Sequence, residues 1–391
     1  MKKKVLFLNH TLGAGGAEKV LVNLVNNMSE EYDVTVMTVI DTGTFKKDLG
    51  PNVTYKTIFK IPFKKENNNE QSGSLLNGTS KIKKIAAKCY AFLWKIMPTK
   101  LLYCLTVKDK YDIEVAFLEG ICAKIISSSN QNSKKFAWIH VDVINENKSD
   151  AVFANINSAK KCYDKFNKIV CVSNQVKKQF VKKYKINEDK VIVKHNAINA
   201  TEILEKASKK IDIKIPKEFK LVTIGRLSKQ KGYDRLVSIA NKLKKDKIPF
   251  HLWIIGVGPK EQELKQYVED NNLANEVEFL GFKSNPFPYL KNADLFVCSS
   301  RAEGFSTVAC EATVLGIPIV TTNCSGMEEL LGKSEYGLIT DNSENALYKG
   351  LKEILTDEKK YKHYKKQINK IKDSFDISNT VKEIEEMFGE N

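Results

Sequence analysis

Arginine is scarce in this 391-residue chain: Lys and Arg together number 63, yet the only arginines are Arg226, Arg235 and Arg301. A lysine-rich background gives each guanidinium added meaning, because only arginine offers a planar two-pronged donor for phosphate or carboxylate. Histidine is also rare, at five, and with no H-E-x-x-H and no C-x-x-C a zinc site has no support. The cysteines, Cys89, Cys104, Cys122, Cys162, Cys171, Cys298, Cys310 and Cys324, are scattered singly, several inside apolar runs. That pattern predicts buried thiols in a reducing compartment, not a disulfide framework. No stretch approaches 18 consecutive apolar residues, so the pattern excludes a spanning helix. The apolar run after Met1-Lys2-Lys3-Lys4 stops at Asn9-His10, too short for a signal-peptide core. It reads as a first strand, and the expected location is the cytoplasm.

What is present points to a folded chain of two domains. Hydrophobic residues make up 42% and charged ones 28%, the balance of a globular protein. The net charge of +16 is unevenly placed. Residues 1–200 hold 33 Lys or Arg against 18 Asp or Glu, whereas residues 201–391 hold 30 against 29. A basic first half predicts an anionic surface partner, either a membrane, a nucleic acid or an acidic polymer.

Strands and helices alternate along both halves. Lys3–Asn9 reads as a buried strand, followed by the turn Gly13-Ala14-Gly15-Gly16-Ala17-Glu18 and a helix through Val20, Leu21, Leu24 and Val25. Such a turn can cradle a phosphate, although it is not G-x-G-x-x-G and no acidic residue ends the second strand, Val34–Ile40. Residues 64–80 are polar and read as a mobile loop. Over Lys81–Met97, apolar residues at helical spacing, several lysines, Tyr90 and Trp94 fit an interfacial helix or an ordinary surface helix. Further strands are expected at Asp112–Leu118, Lys135–His140, Lys168–Val172 and Lys190–Lys194, with helices at Val152–Phe166 and Asn174–Tyr184. Glu119 and His140 then fall at the carboxyl ends of parallel strands, where functional groups collect. Residues 196–217 look like a linker. The second half repeats the pattern, so the fold class is α/β with two doubly wound parallel sheets.

Two stretches of the second half carry chemistry. Ser299 to Ala312 follows the strand Leu295–Cys298 and runs into a helix capped by Ser306 or Thr307. Glu303 lies in the loop and Glu311 about one turn inside the helix, flanking a helix N-terminus that can seat a phosphate. A carboxylate can accept two hydrogen bonds from the vicinal hydroxyls of a sugar, so this arrangement suits a nucleotide sugar. The other stretch, Gly225-Arg226-Leu227 to Lys231-Gly232, places two cations on a glycine-bounded loop after the domain's first strand, as a diphosphate clamp requires.

Together Gly225-Arg226-Leu227…Lys231-Gly232, Gly256-Val257-Gly258-Pro259 and Glu303-Gly304-Phe305…Glu311-Ala312 resemble, in order and spacing, the C-terminal domain of family 4 retaining glycosyltransferases. Phe117-Leu118-Glu119-Gly120, Trp138-Ile139-His140 and the Gly13–Glu18 turn resemble the acceptor half of bacterial cell-surface polysaccharide members. The resemblance implies the GT-B fold: an acceptor-binding domain at 1–197, a linker at 198–217, a nucleotide-sugar domain at 218–374 and a C-terminal helix at 375–391 free to pack back on the first domain. In that fold the two Rossmann-like domains face each other across a cleft.

By the same resemblance, Arg226 and Lys231 bind the donor diphosphate, Glu311 the ribose and Glu303 the transferred sugar. Backbone amides of Phe305, Ser306, Thr307 and Val308 cap a phosphate, and Gly304 belongs to the same donor site. Gly258, Phe282 and Lys283 border the donor, Gly15 and Gly16 close on it, and Glu119 and His140 form the acceptor side. Many members carry Gly or Pro where this chain has Ser306. The implied activity is retaining transfer from a nucleotide sugar, UDP-linked by family habit, with no cofactor and no metal. The implied acceptor is a lipid-linked or cell-surface glycan at the inner face of the plasma membrane, as in capsule or other envelope polysaccharide synthesis. A soluble protein or small-molecule acceptor is the alternative. Nucleic-acid binding is not expected, because the basic half lacks an exposed aromatic platform.

Overall fold

The computed structural model describes residues 2–60, 98–129, 132–145 and 148–390. The loop expected over 64–80 and the helix expected over 81–97 lie outside these residues, as does Cys89. The chain divides into two compact units, one holding the first 197 residues together with Ser378 onward, the other Ile198–Ile377.

The first unit contains a seven-stranded sheet of β1 (Lys3–Asn9), β2 (Tyr32–Ile40), β3 (Val53–Phe59), β4 (Ile113–Ala116), β5 (Lys134–Ile139), β6 (Lys168–Cys171) and β7 (Val191–Val193). Every pairing is parallel, in the order β3-β2-β1-β4-β5-β6-β7. Val5, Leu6, Phe7 and Leu8 of β1 are all fully buried, because a central parallel strand has helices over both faces and so reads as an unbroken apolar run. The edge strand β3 has no counterpart in the expected elements. Its Tyr-Lys-Thr residues are only half-buried, so neither an apolar run nor a clean alternation marks it.

Around this sheet lie α1 (Gly16–Asn26), α2 (Thr99–Thr106), α3 (Ile121–Ile126), α4 (Ile156–Tyr163) and α5 (Asn174–Tyr184). Helix α4 starts four residues later than the apolar pattern predicts. Asn155 and Ser158 form a reciprocal capping box, which fixes the start. Six of the seven described cysteines are buried thiols, but Cys104 on α2 is exposed. The last helix of the chain, Ile377–Gly389, closes the core of this unit. Its Phe388 is 1% exposed and meets the rings of Phe136 at 5.0 Å, Phe7 and Tyr32 at 6.3 Å and Trp138 at 6.5 Å.

The second unit holds the parallel strands β8 (Lys220–Ile224), β9 (His251–Ile255), β10 (Val277–Gly281), β11 (Leu295–Cys298), β12 (Ile319–Thr322) and β13 (Leu338–Thr340), in the order β10-β9-β8-β11-β12-β13. Alternation along the strands splits the core in two. Leu221, Ile254 and Val297 join one cluster; Val222, Trp253, Ile255 and Phe296 join the other. This is the two-residue period of a strand feeding both sheet faces.

Its helices are α6 (Ala200–Ala207), α7 (Tyr233–Lys245), α8 (Glu261–Asp270), α9 (Phe287–Asn292), α10 (Thr307–Val314), α11 (Met327–Leu331), α12 (Glu344–Thr356) and α13 (Glu358–Ile368); the C-terminal helix is α14. Helix α6 occupies a segment read as linker. Asn199 caps it, Ile203 and Ala207 are buried, and it packs on α9. A single buried stripe of two residues is too short to stand out from the charged sequence around it.

Candidate functional site

The strand order places the loops. In the second unit it reverses between β8 and β11, which pair directly. In the first unit it reverses between β1 and β4. Crevices form at such switch points, beyond the carboxyl ends of the strands. The loops after β8 and β11 are residues 225–232 and 299–306, the two stretches singled out by their chemistry.

The structure joins these loops through a salt bridge. Lys231 Nζ lies 2.7 Å from Glu303 Oε1, and the Ser300 hydroxyl donates to the same carboxylate oxygen. Glu303 is 7% exposed. Burial pulls the Lys231 ammonium down, but the Glu303 carboxylate, with Cys298 and Tyr233 beside it, outweighs that pull and holds the ammonium above the ordinary lysine range. Between these side chains and Thr223, Tyr233, Cys298 and Ser306 remains a cavity of about 10 Å³, room for at most one water molecule.

Arg226 stands apart from this pair. It is exposed on the same loop, and among the described residues its guanidinium has no ion pair or hydrogen bond. The turn after β9 packs against the backbone on either side of it: a Cβ on Gly258 would fall 2.4 Å from the Leu227 carbonyl oxygen, and one on Gly256 would fall 2.0 Å from that of Gly225. Gly258 thus serves backbone packing.

Helix α10 begins where the sequence places it. Ser306 is the cap, its Oγ accepting from the Ala309 N–H at 3.3 Å. Gly304, Phe305 and Ser306 are buried, and Thr307 and Val308 half-buried. Glu311, in the middle of this eight-residue helix, is 4% exposed, so it is not a solvated helix charge.

At the end of β10 the picture is mixed. Phe282 is 45% exposed, a bare ring edging the loop. Lys283 is already engaged: its Nζ lies 3.0 Å from Asp212 Oδ2 and 4.9 Å from the centroid of Tyr289. The structure therefore brings Lys231 and Glu303 into contact, with Ser306 lining the same cavity, and leaves Lys283 bound elsewhere.

In the first unit Gly15 is the N-cap of α1 and Gly16 its first residue. The Glu18 carboxylate curls against Gly15, where an added Cβ would fall 2.1 Å from Oε2. At the end of β5 the His140 N–H donates to Glu119 Oε2 at 3.0 Å, and its ring rests on Phe117 at 4.9 Å. Burial pulls the His140 imidazole down to about 4, against a hydrogen bond to the Phe117 backbone. Its Nε2 is a buried atom with no partner among the described residues. Burial also pushes the Glu119 carboxyl up, partly offset by the His140 N–H.

Sequence reasoning missed Ser300, Gln230, Asp234, Arg235 and Asn342. Gln230 Nε2 donates to the Ala302 carbonyl at 3.1 Å, and Arg301 forks onto Asp234 at 2.7 and 2.6 Å. Arg235 Nε donates to the Ser299 carbonyl at 2.9 Å and its Nη2 to Asn342 Oδ1 at 2.8 Å. The scarcity of arginine was the available signal, since all three fall in or beside these loops. Among the described residues no group of three or more His, Cys, Asp or Glu is placed to hold a metal ion.

Comparison with known proteins adds a match to a family model and several relatives. Residues 205–371 match the model of glycosyl transferases group 1. The chain is 34% identical over 198 residues to the N-acetylgalactosamine-N,N'-diacetylbacillosaminyl-diphospho-undecaprenol 4-alpha-N-acetylgalactosaminyltransferase of Campylobacter jejuni, covering 50% of this chain and 53% of that one. It thus spans about half the length of that relative. An uncharacterized glycosyltransferase of Methanocaldococcus jannaschii is 26% identical over 336 residues, 77% of this chain and 82% of its own. The crystal structure of Anabaena HepE in complex with UDP and glucose superimposes over 100% of both chains, with a TM-score of 0.73 at 19% identity. The chain therefore has the GT-B fold, and the match to glycosyl transferases group 1 lies within its second unit, over residues 205–371.

Proposed function

We propose that the protein transfers a sugar from a nucleoside-diphosphate donor, UDP-linked, to a lipid-linked or cell-surface glycan acceptor. The observation that carries this reading is the Lys231–Glu303 contact at the β8/β11 switch point, within the residues that match glycosyl transferases group 1. A cation for phosphate and a carboxylate for hydroxyls stand side by side, each neutralising the other. Donor binding exchanges one pairing for two. The diphosphate takes the Lys231 ammonium with help from Arg226, while Glu303 keeps the Ser300 hydroxyl and accepts from the sugar. Glu311 takes the ribose, and the amides of Gly304 to Val308 face a phosphate at the start of α10. Phe282 and Gly258 border the donor; Lys283, bound to Asp212, borders it only if that pair opens.

The leaving group is a diphosphate, so charge develops on its terminal oxygens as the glycosidic bond breaks. The Lys231 and Arg226 cations stabilise that charge, a role a metal fills elsewhere. Retention of the anomeric configuration follows if the acceptor hydroxyl attacks from the leaving-group side, its proton passing to a donor phosphate oxygen. His140 is neutral at pH 7 because burial holds its pKa near 4, so it is a poor base. Its role is to hydrogen-bond an acceptor hydroxyl, with Glu119 fixing its backbone.

The undecaprenol-linked substrate named for the Campylobacter relative and the basic first half favour an acceptor presented at the inner face of an anionic membrane. A soluble acceptor is the second reading, separated from the first by flotation with anionic liposomes.

The first test is thermal stabilisation by UDP-, GDP- and ADP-sugars of wild type, Arg226→Ala and Glu311→Ala. A ligand that binds only the folded state raises the melting temperature with its affinity. One nucleotide class should stabilise the wild type, and both substitutions should remove the shift. No shift with any donor would sink the reading.

A further inference from the structure

The two loops of the site are sewn to each other by contacts beyond the Lys231–Glu303 side-chain pair. Gly232 adopts φ +67°, and a Cβ there would fall 2.1 Å from the Ser299 carbonyl oxygen, so the loops approach at backbone distance. The Ser299 hydroxyl donates to the Lys231 carbonyl at 2.9 Å, and the Arg301 N–H to the Gln230 carbonyl at 2.7 Å.

Arg235, in the first turn of α7, ties the centre of this seam. It is 6% exposed, and among the described residues its guanidinium meets two neutral acceptors, Ser299 O and Asn342 Oδ1, and no carboxylate. Asn342 passes the link on, its Nδ2 donating to the Arg301 carbonyl at 2.9 Å. A buried cation without a contacting anion is costly, and an apolar side chain of similar length would fill the space at lower cost. The other two arginines do different work: Arg226 is exposed, and Arg301 is paired with Asp234 at the rim.

We propose that Arg235 is a positioning residue for the diphosphate seat, holding the Lys231 loop and the Glu303 loop in one register through Ser299 and Asn342. The inference rests on the donor site proposed above. Lys231 reaches the pocket from a loop whose backbone is anchored to Ser299, and Ser299 is anchored by Arg235. Releasing Ser299 lets Lys231 drift from the place where the terminal phosphate must sit. The ribose and first phosphate depend on Glu311 and the start of α10, which the buried Ala309 and Ala312 root in the core. Loss of the latch should therefore weaken a nucleoside diphosphate and spare the matching monophosphate.

The experiment titrates UDP and UMP, GDP and GMP, and ADP and AMP into wild type, Arg235→Met, Arg235→Lys and Asn342→Ala by calorimetry. Wild type should bind one diphosphate more tightly than its monophosphate. Arg235→Met should lower that diphosphate's affinity about ten-fold, the scale of one charge-assisted hydrogen bond, and leave the monophosphate within about two-fold. Arg235→Lys, which keeps the charge and one donor, should recover part of the loss. The exposed Asn342→Ala should shift the ratio in the same direction and keeps the test decisive if Arg235→Met does not fold. Equal losses for both nucleotides, or unchanged affinities, would overturn the latch alone. Failure of the wild type to bind any diphosphate would overturn the donor site and the latch with it.

Discussion

Glu303 is buried and His140 half-buried with its Nε2 shut off from water, and the protein treats their charge in opposite ways. Glu303 has a cation at 2.7 Å, so removing that cation strands a carboxylate in a site with little water. Lys231→Met should destabilise the fold by about 2 kcal/mol, less than a fully buried pair would lose because the lysine side chain is about a quarter exposed. The double variant Lys231→Met/Glu303→Gln should recover at least half of that in urea unfolding; strictly additive losses would mean the contact is incidental. The His140 ring has no ion pair among the described residues and stays neutral, its pKa held near 4 by burial against an unfolded value near 6.5. Below pH 6.5 the unfolded chain takes up a proton that the native histidine refuses, so stability rises with pH between 4 and 6.5 and is lost as pH falls through that window. The contribution is about 2–3 kcal/mol across the window. His140→Asn should lose less melting temperature than wild type between pH 7 and pH 4.5, and parallel curves would refute the assignment.

At the scale of elements, the loops of the second unit are held by backbone approaches that a side chain would block. Gly232 combines a left-handed conformation with a carbonyl 2.1 Å from where a Cβ would stand. Gly232→Ala should cost more than about 1 kcal/mol from the backbone alone, with a further penalty for pushing the loops apart. Urea midpoints should show the loss, and nucleotide affinity should fall with it; a neutral substitution would mean the seam is slack. The motif G-x(5)-K-G could be read as a phosphate loop from its residue types. That its second glycine serves contact with the glutamate loop depended on β8 and β11 being neighbours, which no local pattern encodes.

At the scale of the whole molecule, the chain leaves its first unit after residue 197 and returns to it at Ser378. The returning helix is a core component, since Phe388 contacts aromatic rings on three strands. Phe388→Ala should cost about 3–5 kcal/mol, as expected for a buried phenylalanine. Hydrogen exchange should quicken across β1, β2 and β5 and stay unchanged across β8 to β12. Uniform acceleration along the chain would show that the helix does not belong to the core of the first unit alone.

Much of this architecture was legible before folding was considered. Continuous apolar runs such as Val5–Leu8 and Leu295–Cys298 announce buried parallel strands, and Ser306 announces the start of α10, because these signals are local. The candidate chemistry was legible as residue types: Arg226, Lys231, Glu303 and Glu311 are suited to a nucleotide sugar wherever they lie. Strand β3 and helix α6 escaped because a half-exposed edge strand and a two-residue buried stripe carry weak periodicity. What only the tertiary structure decided is pairing across distance. Lys231 and Glu303 are 72 residues apart, and Arg235 meets Asn342 across 107. Such contacts arise because parallel sheet order brings remote strand ends together, whereas spacing along a chain reports only what a single helix or strand can place on one face.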